Sequence, residues 1–164
     1  MKTLVIIPSR LSATRLPGKP LLKINGLSII SHVFKRAEKA NIGEVIVAAE
    51  DKEIVEDVKL NGGNAILTSK KPKTGTDRIY EALKILGKND IDLIMNIQGD
   101  EPEIDIEDIK KLYNNMKDNK KTRIGTLAAK ISDIKMYENQ NIVKVKTKES
   151  FEQNQFPLAE NFFR

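Results

Sequence analysis

The sequence has no cysteine, no tryptophan and a single histidine, His32. The first absence excludes disulfides, thiolate metal sites and cysteine nucleophiles together. The lone histidine excludes a two-histidine metal site. Its place in the middle of a helical stretch, away from every strand-end loop, makes it a structural residue rather than a member of a Ser-His-Asp set. Aromatic residues are only 5% of the chain, and its basic residues are interspersed with acidic ones, so a base-stacking nucleic-acid surface is not expected. No stretch approaches the roughly 20 apolar residues of a membrane span. The apolar run after Met1-Lys2-Thr3 is too short, before Pro8 and Arg10, for a signal peptide. These absences lead us to expect a cytoplasmic protein with no membrane insertion and no nucleic-acid partner.

What is present suits a globular protein that binds an anion. The chain has 164 residues, with 28 basic against 23 acidic, a net charge of +5. That is the length of one domain, with enough apolar residues for a sizeable core. Residues 1–164 are expected to form that one domain, since no repeat, low-complexity tract or linker divides them.

Apolar runs at Leu4–Ile7, Val45–Ala49, Ala65–Leu67 and Leu93–Ile97 read as strands, with weaker candidates at Ile124–Ala129 and Ile142–Val145. Between them, apolar residues recur at helical spacing. Ile29, Ile30, Val33, Phe34 and Ala37 form one stripe; Ile54, Val55 and Val58 form a second. Ile79, Ala82, Leu83 and Leu86 mark a third helix, and Ile109, Leu112, Tyr113 and Met116 a fourth. Tyr80, Tyr113 and Tyr137 fall on helical stretches and are expected to pack. Non-alternating apolar strands between amphipathic helices predict an α/β fold, a mostly parallel sheet with helices on both faces. Right-handed crossovers then gather the loops that follow the strands along one edge, where such folds bind ligands. Toward Arg164 the pattern fades.

Three strand-end stretches carry chemistry. The first strand empties into Pro8-Ser9-Arg10-Leu11-Ser12-Ala13-Thr14-Arg15-Leu16-Pro17-Gly18-Lys19-Pro20-Leu21. Pro17-Gly18 suits a tight turn, which would aim Arg15 and Lys19 back at the strand end. Guanidinium groups grip phosphate through paired donors and lysine adds a point charge, so Arg10, Arg15 and Lys19 suit a polyanion. The stretch is not a Walker loop, because the glycine spacing is missing and proline follows the lysine. Asn96-Ile97-Gln98-Gly99-Asp100-Glu101-Pro102 closes the most apolar strand. Here Asp100 is suited to hold Mg²⁺ with phosphate oxygens, or else to cap a turn, and Gln98 to read a base edge or a sugar hydroxyl. Lys73-Thr74-Gly75-Thr76-Asp77-Arg78 opens the third helix. Thr74 or Thr76 would cap it and Asp77 suits its first turn. Arg78 opposes the helix dipole there, a conflict that a bound anion would relieve.

Together these stretches resemble the 3-deoxy-D-manno-octulosonate (Kdo) cytidylyltransferase family. Thr14-Arg15-Leu16-Pro17-Gly18-Lys19-Pro20-Leu21 is close to that family's signature. Thr74–Arg78 and Asn96–Pro102 match its second and third motifs in order and spacing, and Asn141-Ile142-Val143-Lys144-Val145 resembles a later segment. The resemblance implies a Rossmann-like, three-layer nucleotide-diphospho-sugar transferase fold and a homodimer. It implies a nucleotidyltransferase that joins CTP and Kdo into CMP-Kdo and pyrophosphate, with Mg²⁺, for lipopolysaccharide synthesis. Arg15, Lys19 and Asp100 would be catalytic, with Asp100 holding the metal. Ser9, Arg10, Arg15, Lys19, Gly75, Thr76, Arg78 and Gln98 would bind nucleotide, and Gln98 and Arg164 the sugar. Family members run further than this sequence, so the nucleotide half is expected to be whole and the sugar half largely absent. Two other readings accompany this one: a nucleotide-binding protein without turnover, and a nucleotidyltransferase for another acidic sugar such as sialic acid.

Overall fold

The axis of the fold is strand β1 (Thr3–Ser9), in a computed structural model that describes residues 1–12 and 16–164. After it come a short hairpin, β2 (Lys23–Ile24) and β3 (Leu27–Ser28), then α1 (Ile29–Lys39), β4 (Glu44–Ala49) and α2 (Lys52–Leu60). They are followed by β5 (Ala65–Leu67), α3 (Gly75–Leu86), β6 (Leu93–Asn96) and α4 (Ile106–Asp118). A last group comprises α5 (Ile134–Glu138), β7 (Lys144–Thr147) and β8 (Ala159–Phe163). All four strongly apolar runs form strands, and each of the four helical stripes forms a helix.

Strands β5-β4-β1-β6 lie in that order in one parallel sheet. Leu4, Val5, Ile6 and Ile7 are fully buried because β1 is covered on both faces. Val5 and Ile7 join a cluster with Ile30, Val33 and Phe34 of α1, Ile54 and Val58 of α2, and Ile109 of α4. Leu4 and Ile6, pointing the other way, meet Ile79 and Ala82 of α3. Helices therefore cover both faces, as the sequence pattern predicts. Each aliphatic side chain so buried contributes about 1.5–3 kcal/mol.

From β1 the chain steps outward through β4 to β5, then returns to pair β6 on the other flank of β1. The strand order thus reverses between β1 and β6. In open parallel sheets such a reversal opens a crevice at the carboxyl ends of the strands. Ser9 and Gln98 stand at those ends.

The chain divides into two compact units, Met1–Lys117 and Asp118–Arg164. In the second unit β7 pairs β8 antiparallel, and Asp133 caps α5 by accepting a bond from the Lys135 N–H. Three expectations change here. Ile124–Ala129 is irregular, not a strand, and Ile124 is 88% exposed. The strand expected at Ile142–Val145 starts later, at Lys144, while β8 carries no apolar run that announces it. Of the three tyrosines, Tyr113 packs against the core, but Tyr80 faces outward beneath the Lys84 ammonium, 4.2 Å from its ring centre. Tyr137, half exposed, meets Phe163 edge-on.

Candidate functional site

At the reversal point lies a cavity of about 230 Å³. Pro8, Ser9 and Arg10 line it from the end of β1, Pro72, Lys73, Thr74, Gly75 and Arg78 from the start of α3, and Gln98 from beyond β6. Three stretches far apart in sequence thus share one wall. The cavity is smaller than the pockets that enclose a drug-sized ligand, so it suits one part of a larger ligand. Among the described residues, its lining holds three cations and no carboxylate. Ser9 is buried, and its hydroxyl has no hydrogen-bond partner among the described residues. Buried polar atoms are nearly always paired, so this hydroxyl suits a ligand contact. The close fit of the β6 loop requires Gly99. A β-carbon there would lie 3.0 Å from the Pro8 carbonyl oxygen and 3.1 Å from Ile30 Cδ1.

The basic loop turns at Gly18, whose φ of 74° is the left-handed value expected for the Pro17-Gly18 turn. Its N–H donates to the Leu11 carbonyl at 3.0 Å, and the Leu11 N–H donates to Asp51 at 2.8 Å, so Leu11 and Gly18 are tied to each other and to Asp51. Lys19, which opens a short 3-10 turn, donates its ammonium to Asp100 Oδ2 at 2.9 Å. The residue expected on phosphate and the residue expected on metal are therefore partners across 81 positions of sequence. Both stay accessible, with side chains 33% and 58% exposed. Exposed pairs of this kind contribute about 0–1 kcal/mol, so a ligand can part them at little cost. Asp100 does not cap the following helix; Asp105 does, accepting from the Glu107 N–H at 2.9 Å. Arg15, with Ala13 and Thr14, lies outside the described residues.

At the start of α3 the cap is Thr74. Its hydroxyl accepts from the Asp77 N–H at 3.1 Å, while Asp77 accepts from the Thr74 N–H at 3.0 Å and from the Thr74 hydroxyl at 2.8 Å. These bonds hold the Asp77 carboxyl below its ordinary pKa, the Thr74 hydroxyl contributing most. Gly75 lines the cavity; Thr76, next to it, does not. Arg78 lines the cavity, and its guanidinium is also held within the protein. Its guanidinium is 3% exposed and already paired with the Glu50 carboxylate, and it also donates to the Thr68 hydroxyl and, at 3.1 Å, to the Ser69 carbonyl. No bound anion is needed to relieve the helix dipole, because Glu50 supplies the charge from the end of β4. Sequence reasoning missed Glu50, since nothing local links it to a helix 28 positions away.

His32 has the structural role expected, with Nε2 2.8 Å from the Ile24 carbonyl, tying the hairpin to α1. It is not remote from the strand ends, however. With Arg36 it lines a groove of about 680 Å³ against Glu101–Ile104, the back of the β6 loop. Arg164 directly follows β8 in the second unit. Among the described residues, no group of three or more His, Cys, Asp or Glu side chains is placed to hold a metal. Asp100 alone, half exposed and two positions after Gln98, fits the mode in which one carboxylate and the phosphates of a substrate share the ion. No helix among the described residues is long and apolar enough to cross a membrane.

A parallel sheet with a cationic cavity at its reversal point defines a Rossmann-like α/β protein, with a lining that suits an anionic ligand. Residues 4–163 match the cytidylyltransferase family model, and the chain belongs to that family. It is 46% identical over 144 residues to 3-deoxy-manno-octulosonate cytidylyltransferase of Nitrobacter winogradskyi, covering 87% of this chain and 56% of that protein. The corresponding enzyme of Fusobacterium nucleatum is 46% identical over 145 residues, covering 88% and 58%. Among solved structures, CMP:2-keto-3-deoxy-manno-octonic acid synthetase complexed with CTP superposes with a TM-score of 0.85 at 36% identity. The match covers 99% of this chain and 64% of that one. The chain thus spans a little over half the length of the curated relatives it matches.

Proposed function

We propose that this chain carries the nucleotide-binding half of an enzyme that transfers a cytidylyl group from CTP to Kdo, releasing pyrophosphate. The observation that carries the reading is the convergence of Ser9, Arg10, Lys73, Arg78 and Gln98 on one cavity at the sheet's reversal point. The Lys19–Asp100 pair supports it, as do relatives whose names specify this reaction. In the proposed step the anomeric hydroxyl oxygen of Kdo attacks the α-phosphorus in line. A new oxygen–phosphorus bond forms, the bond to the bridging oxygen of the β-phosphate breaks, and pyrophosphate leaves with the electron pair. The hydroxyl proton passes to solvent. No covalent intermediate on the protein is needed, in keeping with the lack of cysteine.

The protein's part is to bind, align and neutralise. Arg10 and Lys19, with Arg15, hold the triphosphate; Ser9, Gly75 and Thr76 contribute to the nucleotide site and Gln98 to the nucleotide or sugar. Asp100 would hold Mg²⁺, which when bound adds positive charge against the developing charge on the phosphates. Arg164 contacts the sugar in this reading, in a homodimer located in the cytoplasm.

Incubation of the chain with CTP, Mg²⁺ and Kdo, with pyrophosphate release as the readout, tests the proposal. Release supports cytidylyl transfer. CTP binding without release favours the binding-only reading, and absence of CTP binding overturns both. Lys19→Ala should weaken CTP binding roughly tenfold, as expected when a charge-assisted contact is lost. Asp100→Asn should remove the metal dependence of CTP binding. Sedimentation analysis decides the homodimer.

A further inference from the structure

One stretch of the cavity wall has no strand to hold it. Pro72, Lys73 and Thr74 belong to the segment between β5 and α3, which is bonded at the Thr74 cap on one side and at Ser69 on the other. All three polar groups of Ser69 are engaged. Its N–H donates to Glu81 Oε1 at 3.0 Å, and its carbonyl accepts from Arg78 Nη1 at 3.1 Å. Its hydroxyl accepts from the Lys71 N–H at 3.2 Å, which turns the chain toward Pro72. Arg78 and Glu81 stand three positions apart on α3, so they share one helix face and grip one residue from two sides.

The grip continues into the sheet. Arg78 is anchored on the Glu50 carboxylate and the Thr68 hydroxyl. Thr68 donates to the Ala49 carbonyl twice, from its N–H at 2.7 Å and its hydroxyl at 3.0 Å. The Glu50 N–H donates to the Ser9 carbonyl at 3.2 Å. Hydrogen bonds therefore connect the buried end of β1 with Ser69. Glu81 Oε2 meanwhile is buried with no partner among the described residues. A helix-surface glutamate would turn such an oxygen into water, because burying it unpaired is costly. The bond from Oε1 to Ser69 holds the side chain against that cost.

We propose that Glu81, acting with Arg78, is a positioning residue for the cavity: it clamps Ser69 and so helps to fix the Pro72–Thr74 wall. Glu81 does not line the cavity and acts only through Ser69. The functional consequence rests on the reading of the cavity as part of a CTP site.

The test compares Glu81→Ala and Glu81→Gln with the parent by amide hydrogen exchange and by CTP titration. Alanine removes the acceptor, whereas glutamine keeps one and removes the charge. Glu81→Ala should lose protection at the Ser69 amide by about tenfold or more, with the β1 and β4 amides unchanged. It should weaken CTP binding by up to roughly tenfold, an indirect effect bounded by the one bond lost at Ser69. Glu81→Gln should stay within about twofold of the parent in both, since the acceptor remains. Unchanged Ser69 exchange in Glu81→Ala would overturn the clamp. So would a Glu81→Gln variant as exposed as the alanine one, or a rise in exchange spread evenly over the sheet. If the parent binds no CTP, the functional reading fails, while the exchange readout still decides the clamp.

Discussion

Residues 1–117 and 118–164 are built on different principles. The first unit buries aliphatic side chains on both faces of a parallel sheet, from Leu4 to Ile109. In the second, the one buried residue among those described is a lysine, Lys144, and no apolar side chain reaches full burial. Lys144 donates to the carbonyls of Asn139 at 3.0 Å and Ile142 at 3.1 Å, and its ammonium lies 6.0 Å from the centre of the Tyr137 ring. Hydrophobic transfer dominates folding where it is available. The second unit instead depends on a hairpin, a capped turn of helix and one satisfied cation. Stability is therefore expected to be distributed unevenly along the chain.

The largest test of that contrast sets a buried ion pair against an exposed one. Glu50→Ala would leave the Arg78 guanidinium buried without its counter-charge, where both partners are nearly hidden, at 3% and 12% exposure. A loss of about 3–5 kcal/mol is expected, read by denaturant unfolding of the sheet. Glu160→Ala in the second unit breaks the 3.1 Å pair with Lys146, whose side chain is mostly solvated. Its cost should stay below about 1 kcal/mol. Comparable losses in the two variants would erase the distinction.

Next in size is the core itself. Ile54→Ala empties a fully buried position between α2 and the sheet and should cost about 2–5 kcal/mol. Ile124→Ala, at an exposed site, should change stability by no more than about 0.5 kcal/mol. A large effect at Ile124 would mean that the second unit has an apolar core after all. Lys144→Ala comes third. Losing two bonds from one ammonium should destabilise the second unit by about 1.5–3 kcal/mol. The readout is faster exchange at the β7 and β8 amides, with β1 unchanged.

The same contrast explains what could be read from the sequence. Leu4–Ile7 was legible as an unbroken apolar run because both faces of β1 are buried, and the stripe from Ile29 to Ala37 because burial of one helix face imposes a period. The hairpin β2–β3 carried a signal too, in Asn25-Gly26, the favoured two-residue hairpin turn. β8 had none: its residues are mostly exposed, so nothing forces an alternation upon them. The placement of Arg10, Lys19, Gln98 and Asp100 in the loops after strands was legible because strand ends gather at one edge of such a sheet. Glu50 and Glu81 were not. Each acts through a bond to a residue distant in sequence, and neither sits in a motif.

The smallest expected effect concerns acid and the cap of α3. Asp77 is fully exposed, so the mass of the first unit does not shelter it. Its carboxyl is held below the ordinary value by bonds from Thr74, the hydroxyl first and the backbone N–H next. The unfolded chain, with an ordinary carboxyl near about pH 4, therefore takes up protons before the folded one does. Stability from this cap is fully present above that pH and is lost as pH falls through the lower, folded value. Exchange at the first amides of α3 should accelerate below about pH 4, after correction for the intrinsic acid dependence of exchange. Asp77→Asn keeps an acceptor for Thr74 but cannot be protonated in this range. It should therefore show a flatter profile over the same interval, while β1 amides respond alike in both proteins. A parent profile as flat as that of the variant would show that the cap draws nothing from the Asp77 charge. The start of the cavity wall would then rest on the Thr74 hydroxyl and the Ser69 clamp alone.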